Sequence, residues 1–256
     1  MAKPIAFPDD LKWEKDDYRA LLKEAVSGHF RPEDFLAFSY NESGLSNVKP
    51  LPFVRRGLGP WAWNKDGDAK GLTQMMPRTL ANLGWKPGDP DYDRAAGDYN
   101  KAPIPVQLSW ARRYFDYWRR TARLDFWPSS GVMYLANFYP AHLSFAGDPS
   151  HVLVDSKKAP SVYLVNRGLD TGAKGFINVL DMQIHAAKGV GSKLYQAAVR
   201  SLNAQRQWAL NIRGADLVED GLPGPLTRAA TAAFQRKKGL PSDGAFGPVT
   251  DRALFA

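Results

Sequence analysis

Asp220-Gly221 is followed by Gly224-Pro225-Leu226-Thr227, and Asp243-Gly244 by Gly247-Pro248-Val249-Thr250. The two DGxxGPxT segments stand 23 residues apart. A repeat this short cannot enclose two cores, so it predicts pseudo-symmetry within one small helical unit. Asp-Gly sets one turn and Gly-Pro a second, with proline fixing φ. Thr227 and Thr250 then fall where helix N-caps are expected. Behind Thr227, Ala230, Ala233 and Phe234 share a helical face, and Gly239 stops the helix. Behind Thr250 a last helical turn closes the unit. Upstream, positions 197–211 have helical spacing, with Val199, Leu202, Trp208 and Leu210 as apolar anchors. Residues 193–256 therefore read as a three-helix unit.

The preceding 192 residues are enough for a core of their own. Hydrophobic residues make up 44% of the chain and charged residues 23%, values of a globular protein rather than a disordered one. Cysteine is absent, which excludes disulfides, thiolate metal sites and a cysteine nucleophile. No apolar run approaches the length of a membrane span, so no membrane insertion is expected. The opening MAKPIAFPDDLKWEKDD has no apolar core, so no secretory signal is expected either. The net charge of +8 suits an anionic partner. Residues 1–192 carry 25 basic and 21 acidic residues and residues 193–256 carry 9 and 5, so each part is +4. With no basic arm, an anionic cell-wall polymer fits at least as well as nucleic acid, and nucleic-acid binding is not expected.

Leu11, Tyr18, Leu21, Leu22 and Ala25 are spaced for a first helix, ended by Gly28. Arg31-Pro32-Glu33-Asp34 begins a second, with proline in the first turn and acids at the positive end. Phe35, Leu36 and Phe38 are its buried residues. Glu42 falls in the last turn, where the helix dipole disfavours a negative charge. Burial beside Phe38 or Tyr40 would raise its pKa further. A carboxyl raised in this way is what a general acid at a glycosidic bond requires. The residues alone leave a solvated glutamate as the alternative. Residues 45–70 are poor in helix signal and hold Trp61 and Trp63, which suit a sugar groove or a core plug.

Glu42-Ser43-Gly44, followed by GLTQMMPRT from Gly71, resembles the catalytic core of the lytic transglycosylase and goose-type lysozyme superfamily. There Glu-Ser precedes Gly-Leu-Met-Gln and a hydrophobic-Pro-x-Thr segment; here Thr73 stands where methionine is commoner. The resemblance implies a mainly α, lysozyme-like catalytic domain over 1–192, with its core at about 11–140 and an extension at 141–192. It implies Glu42 as the single catalytic acid/base. Ser43, Gln74, Met75 and Trp61 would line the cleft, and Gly71 would allow close backbone approach. The family's later aromatic-Asn-Ala-Gly segment is matched in part by Tyr134-Leu135-Ala136-Asn137, which points to Tyr134 and Asn137. A hydrolytic lysozyme needs a second carboxylate. Leu51 occupies the phage-type position for it, leaving Asp66 and Asp68, with Asp68 nearer the motif. In the one-carboxylate route, Glu42 protonates the glycosidic oxygen and then accepts the proton of the muramyl 6-hydroxyl. That gives a 1,6-anhydro product.

The stretch from about Gln207 to Leu254 resembles the peptidoglycan-binding domain of cell-wall hydrolases. It implies wall attachment, with Asp220, Gly221, Thr227, Phe234, Asp243, Gly244 and Thr250 as wall-binding residues. The two resemblances together imply a monomeric phage endolysin acting on bacterial peptidoglycan. It would wait in the host cytoplasm and reach the periplasm or wall through a holin lesion. A tail-borne lysin, or a wall-binding structural protein with a dead catalytic fold, is the alternative.

Asp170 to Asp181 has the skeleton of a calcium loop, with Gly175 at its sixth position, Ile177 at its eighth and Asp181 at its twelfth. Gly172 and Lys174 replace the ligands at positions three and five, so a calcium-like turn without calcium is expected. His29, His142, His151 and His185 have no metal-ligand spacing, and no metal or other cofactor is expected. Positions 105–124 form a helix with Val106, Leu108, Trp110, Tyr114, Tyr117 and Trp118 as apolar residues. Arg112, Arg113, Arg119, Arg120 and Arg123 give it a basic side, either solvated or set against wall anions.

Overall fold

The computed structural model describes residues 13–43, 69 and 71–256. Within them the chain is mainly α. Helices α1 (Lys15–Gly28) and α2 (Pro32–Ser43) are followed by the short α3 (Pro77–Asn82) and α4 (Pro90–Arg94). Then come α5 (Ile104–Thr121), α6 (Ser130–Phe138), α7 (Pro160–Asn166) and α8 (Val179–Lys188). Strands β1 (Val152–Asp155) and β2 (Phe176–Asn178) flank α7 and pair antiparallel. Helices α9 (Lys193–Asn211), α10 (Pro225–Lys237) and α11 (Pro248–Phe255) complete the order.

The first core forms where the apolar face of α2 meets α5 and α6. Phe35 and Phe38 both meet Phe115 edge-on, at 6.4 and 5.3 Å, and Phe115 meets the buried Trp127 at 5.5 Å. Such edge-to-face pairs fix ring orientation as well as burying area. Helix α6 lies against both α2 and α8. A Cβ on Gly131 would stand 2.9 Å from the Gln183 Cα, so glycine is what lets the α6 and α8 backbones approach. The Asn41 amide donates to the Ala37 carbonyl at 2.9 Å and the Ala186 carbonyl at 3.0 Å, tying α2 to α8. The stretch expected as an extension thus contributes to the same core, through Leu153, Val154, Ile177, Val179 and Met182.

The start of α8 is set by the calcium-like loop. The Lys174 ammonium lies between two carboxylates, 3.0 Å from Asp170 Oδ1 and 2.9 Å from Asp181 Oδ1, and donates to the Thr171 carbonyl at 2.8 Å. Asp181 also accepts from the Asn178 amide at 2.8 Å, closing a capping box on α8.

Helix α9 belongs to both cores. Tyr195, Ala198 and Leu202 are buried with the N-terminal helices, whereas Ala209 and Leu210 pack with Phe234 and Leu254. The helices of the C-terminal unit form as expected, but their N-caps are Gly224 and Gly247, with Pro225 and Pro248 as first helical residues. Thr227 and Thr250 sit two positions further in and are buried. Proline at the first position needs no donor partner, so the hydroxyls are released for inward bonds.

Candidate functional site

Glu42 stands in the last turn of α2, half-buried beside α6. Tyr134 and Asn137, three residues apart and so on one face of α6, both lie within hydrogen-bonding reach of its carboxyl. Burial pushes that carboxyl up to about 7, while the two hydrogen bonds hold it from rising further. Burial and the adjacent carboxyl push the Tyr134 phenol up, so it remains a donor at neutral pH. Behind Tyr134 stand Phe38, at 5.9 Å, and His185 of α8, at 4.8 Å. The Tyr114 hydroxyl donates to the Ala136 carbonyl at 2.8 Å, pinning α6 between Tyr134 and Asn137. The motif pointed to Glu42, Tyr134 and Asn137, and the fold brings them together. It did not point to Tyr114 or His185, whose aromatic character reads as core.

The segment from Gly71 lies against the end of α2. The Ser43 hydroxyl is 3.0 Å from both the Ser39 and Leu72 carbonyls and is buried, so it tethers this segment instead of lining a cleft. Met75 is 2% exposed and belongs to the core, which corrects its expected place against substrate. Gly71 has φ +72°, and a Cβ there would stand 2.5 Å from Gln107 Oε1 and from the Tyr99 ring. Its smallness serves protein packing, not approach to substrate. Gln74, with φ +49°, folds its amide nitrogen back onto the Gly71 carbonyl at 2.8 Å. That nitrogen is committed to the turn, so the expected donation from it to substrate is not preformed.

The organiser of this segment is Gln107, fully buried on α5. Its Oε1 accepts from the Leu72 amide at 2.9 Å, and its Nε2 donates to the Ala102 carbonyl at 2.9 Å. Asn100 Oδ1 accepts from the Gly71 amide at 2.9 Å. The one sequence signal for Gln107 is an amide among the apolar positions of α5. Gly44, Trp61, Trp63, Asp66 and Asp68 lie outside the described residues.

In the C-terminal unit, one buried glutamine closes each repeat loop. Gln207 Nε2 is 3.0 Å from Asp220 Oδ1, 3.0 Å from Thr227 Oγ1 and 3.2 Å from the Leu222 carbonyl, while Gln207 Oε1 accepts from the Gly221 amide at 2.7 Å. Gln235 repeats this with Asp243 at 2.8 Å, Thr250 at 3.0 Å, the Ala245 carbonyl at 3.1 Å and the Gly244 amide at 2.8 Å. Phe234 is core. Asp220, Gly221, Thr227, Asp243, Gly244 and Thr250, expected to grip the wall, therefore also hold the fold, each taking part in closing a repeat loop. Phe234 also lines a groove of about 340 Å³, with Leu210 and Ala233 and with the cationic Arg213, Lys237 and Lys238.

Residues 204–254 match the family model of the peptidoglycan binding domain, which defines the class of the C-terminal unit. No curated protein and no solved structure matches the chain. Among the described residues no helix is long and apolar enough to cross a membrane, and no three or more His, Asp or Glu residues are grouped as metal ligands.

Proposed function

We propose that this protein cleaves the peptidoglycan glycan strand between N-acetylmuramic acid and N-acetylglucosamine, with Glu42 as its catalytic residue. One observation carries the reading: a single carboxyl, pushed up to about 7 by burial and held by Tyr134 and Asn137. At neutral pH such a group is about half protonated, so it can give a proton to a glycosidic oxygen and take one back. Donation leaves a carboxylate, and the two side-chain donors are placed to stabilise it. The match to a peptidoglycan binding domain supports the choice of polymer. The groove beside Lys237 and Lys238 suits the carboxylates of stem peptides, with its apolar lining against their alanine methyls.

The reaction favoured is lytic transglycosylation. Among the described residues, Tyr134 and Asn137 are the groups acting on the Glu42 carboxyl and no second carboxylate is among them, while Asp66 and Asp68 lie outside those residues. The intramolecular route needs none, since the muramyl 6-hydroxyl is the nucleophile. A hydrolytic muramidase assisted by Asp68 or Asp66 is the second reading. The setting proposed is a phage endolysin reaching the wall through a holin lesion, with a virion tail lysin as the alternative. Digestion of purified peptidoglycan by the wild type and by Glu42→Gln, read by mass spectrometry with and without borohydride, tests this. Non-reducible anhydromuramyl ends, lost in the variant, are expected. Reducible muramic acid ends would make it a muramidase. No product, with wall binding intact, would leave a structural wall-binding protein.

A further inference from the structure

We propose that the C-terminal unit is a clamp on the helix that carries Glu42, with Arg206 as its positioning residue. The inference rests on the catalytic reading of Glu42, but its geometry is independent of that reading. Arg206, in α9, is 2% exposed. Its Nε and Nη2 meet Asp251 Oδ1 and Oδ2 of α11 at 2.9 and 2.5 Å, and its Nη1 meets Glu33 Oε1 of α2 at 2.5 Å. Nη1 also donates to Asn203 Oδ1 at 2.9 Å, and the Phe246 ring covers the guanidinium at 5.2 Å. Burial alone would raise Glu33, but the Arg206 guanidinium, with a backbone amide and Arg31, more than offsets it and holds that carboxyl below its ordinary range.

Glu33 is in the first turn of α2 and Glu42 in the last, roughly 14 Å along one rigid helix. A displacement at the first turn is therefore carried to the carboxyl and its bonds to Tyr134 and Asn137. A second tie runs through α1: Arg19 Nε donates to Gln205 Oε1 at 2.9 Å, and its guanidinium lies 3.7 Å over the Trp208 ring. Between the two cores α9 is continuous, with buried residues along both halves, so there is no linker for a swinging anchor. A tether needs none of this burial. A bidentate buried arginine shared between α2 and α11 fixes position.

Full-length Arg206→Met, Arg206→Lys and Glu33→Gln are compared with wild type in three assays. These are hydrogen exchange of the α2 amides, turnover of a soluble glycan oligomer that needs no wall attachment, and co-sedimentation with sacculi. In Arg206→Met, α2 protection falls at least tenfold and kcat falls at least tenfold with KM within twofold. The basic limb of the pH profile, where Glu42 loses its proton, moves down as Glu42 loses burial, while sacculus binding persists. Arg206→Lys restores part of each, and Glu33→Gln, which keeps the Arg206–Asp251 pair, shows the same signs more weakly. If α2 protection and soluble turnover stay within twofold of wild type in Arg206→Met, the clamp is overturned. If Arg206→Met does not fold, unchanged protection and kcat in Glu33→Gln overturns it equally. An inactive wild type would defeat the catalytic reading, while the exchange measurement still decides the clamp.

Discussion

Glu42→Gln separates the chemistry of the carboxyl from its place in the fold. A carboxyl moved from 4.5 to about 7 holds its proton more tightly in the folded chain than in the unfolded one. At about 1.4 kcal/mol per tenfold change in proton affinity, the difference is about 3 kcal/mol. The sign follows from linkage: a raised folded pKa contributes stability below pH 4.5, and that contribution is lost as pH rises through about 7. Glutamine keeps the shape and hydrogen-bonding capacity without a charge to bury. Wild type and variant should therefore be nearly equally stable at pH 4, with the variant gaining about 2–3 kcal/mol by pH 8. For a chain of this size that is roughly 4–12 °C in melting temperature. Urea unfolding at pH 4, 6 and 8 measures the difference, and turnover of soluble glycan by the variant is expected to be lost throughout. A gap that is constant across this range would mean that Glu42 titrates as an ordinary surface carboxyl. The general-acid role would then lose its physical basis.

Gly71→Ala places a Cβ against Gln107 and Tyr99 at φ +72° and should cost about 2–4 kcal/mol, seen as a lower melting temperature with loss of activity. Lys237→Glu with Lys238→Glu should weaken sacculus binding at low salt by about tenfold, about 1.4 kcal/mol, and leave soluble turnover and stability unchanged. Unchanged sacculus binding would remove the groove from the wall-binding surface. Lys174→Met strands Asp170 and Asp181 without their cation and should cost about 2–3 kcal/mol at pH 7 by urea unfolding. Burial works against both carboxyls, but their bonds, to Tyr163 and Lys174 for Asp170 and to Thr171 and Lys174 for Asp181, hold them below the ordinary range. The stability they give is present above about pH 4 and lost as pH falls through the depressed values, so the gap to wild type should close in acid.

The proximity of Glu42, Tyr134 and Asn137 was legible because the motifs that resemble a catalytic core name those residue types together. The roles of their neighbours were less legible, because a motif does not say which way a side chain points. Ser43, Gly71, Gln74 and Met75 were picked out as a group, yet the fold spends their polar groups and volume on holding one turn against α2. The repeat behaves alike. Its 23-residue period belongs to the loops, whereas Gln207 and Gln235, which close them, stand 28 apart because the first loop follows its glutamine by 13 residues and the second by 8. A search at one period finds the turns and misses the hubs.

The clamp was the least legible feature, for a related reason. Gln205-Arg206-Gln207 sits in a helix whose apolar anchors lie on either side, and an arginine there reads as a solvated face. Its partner Glu33 is 173 residues away, in a first turn where acids are already favoured by the helix dipole. Local physics therefore accounts for each charge separately and gives no reason to join them. Only packing does so: once α9 spans both cores, the guanidinium cannot reach water, and an unpaired buried cation costs several kcal/mol. Glu33 and Asp251 are where the fold meets that requirement. Two parts that read in the sequence as separate modules, divided at 192/193, are thus joined through a buried arginine further along α9.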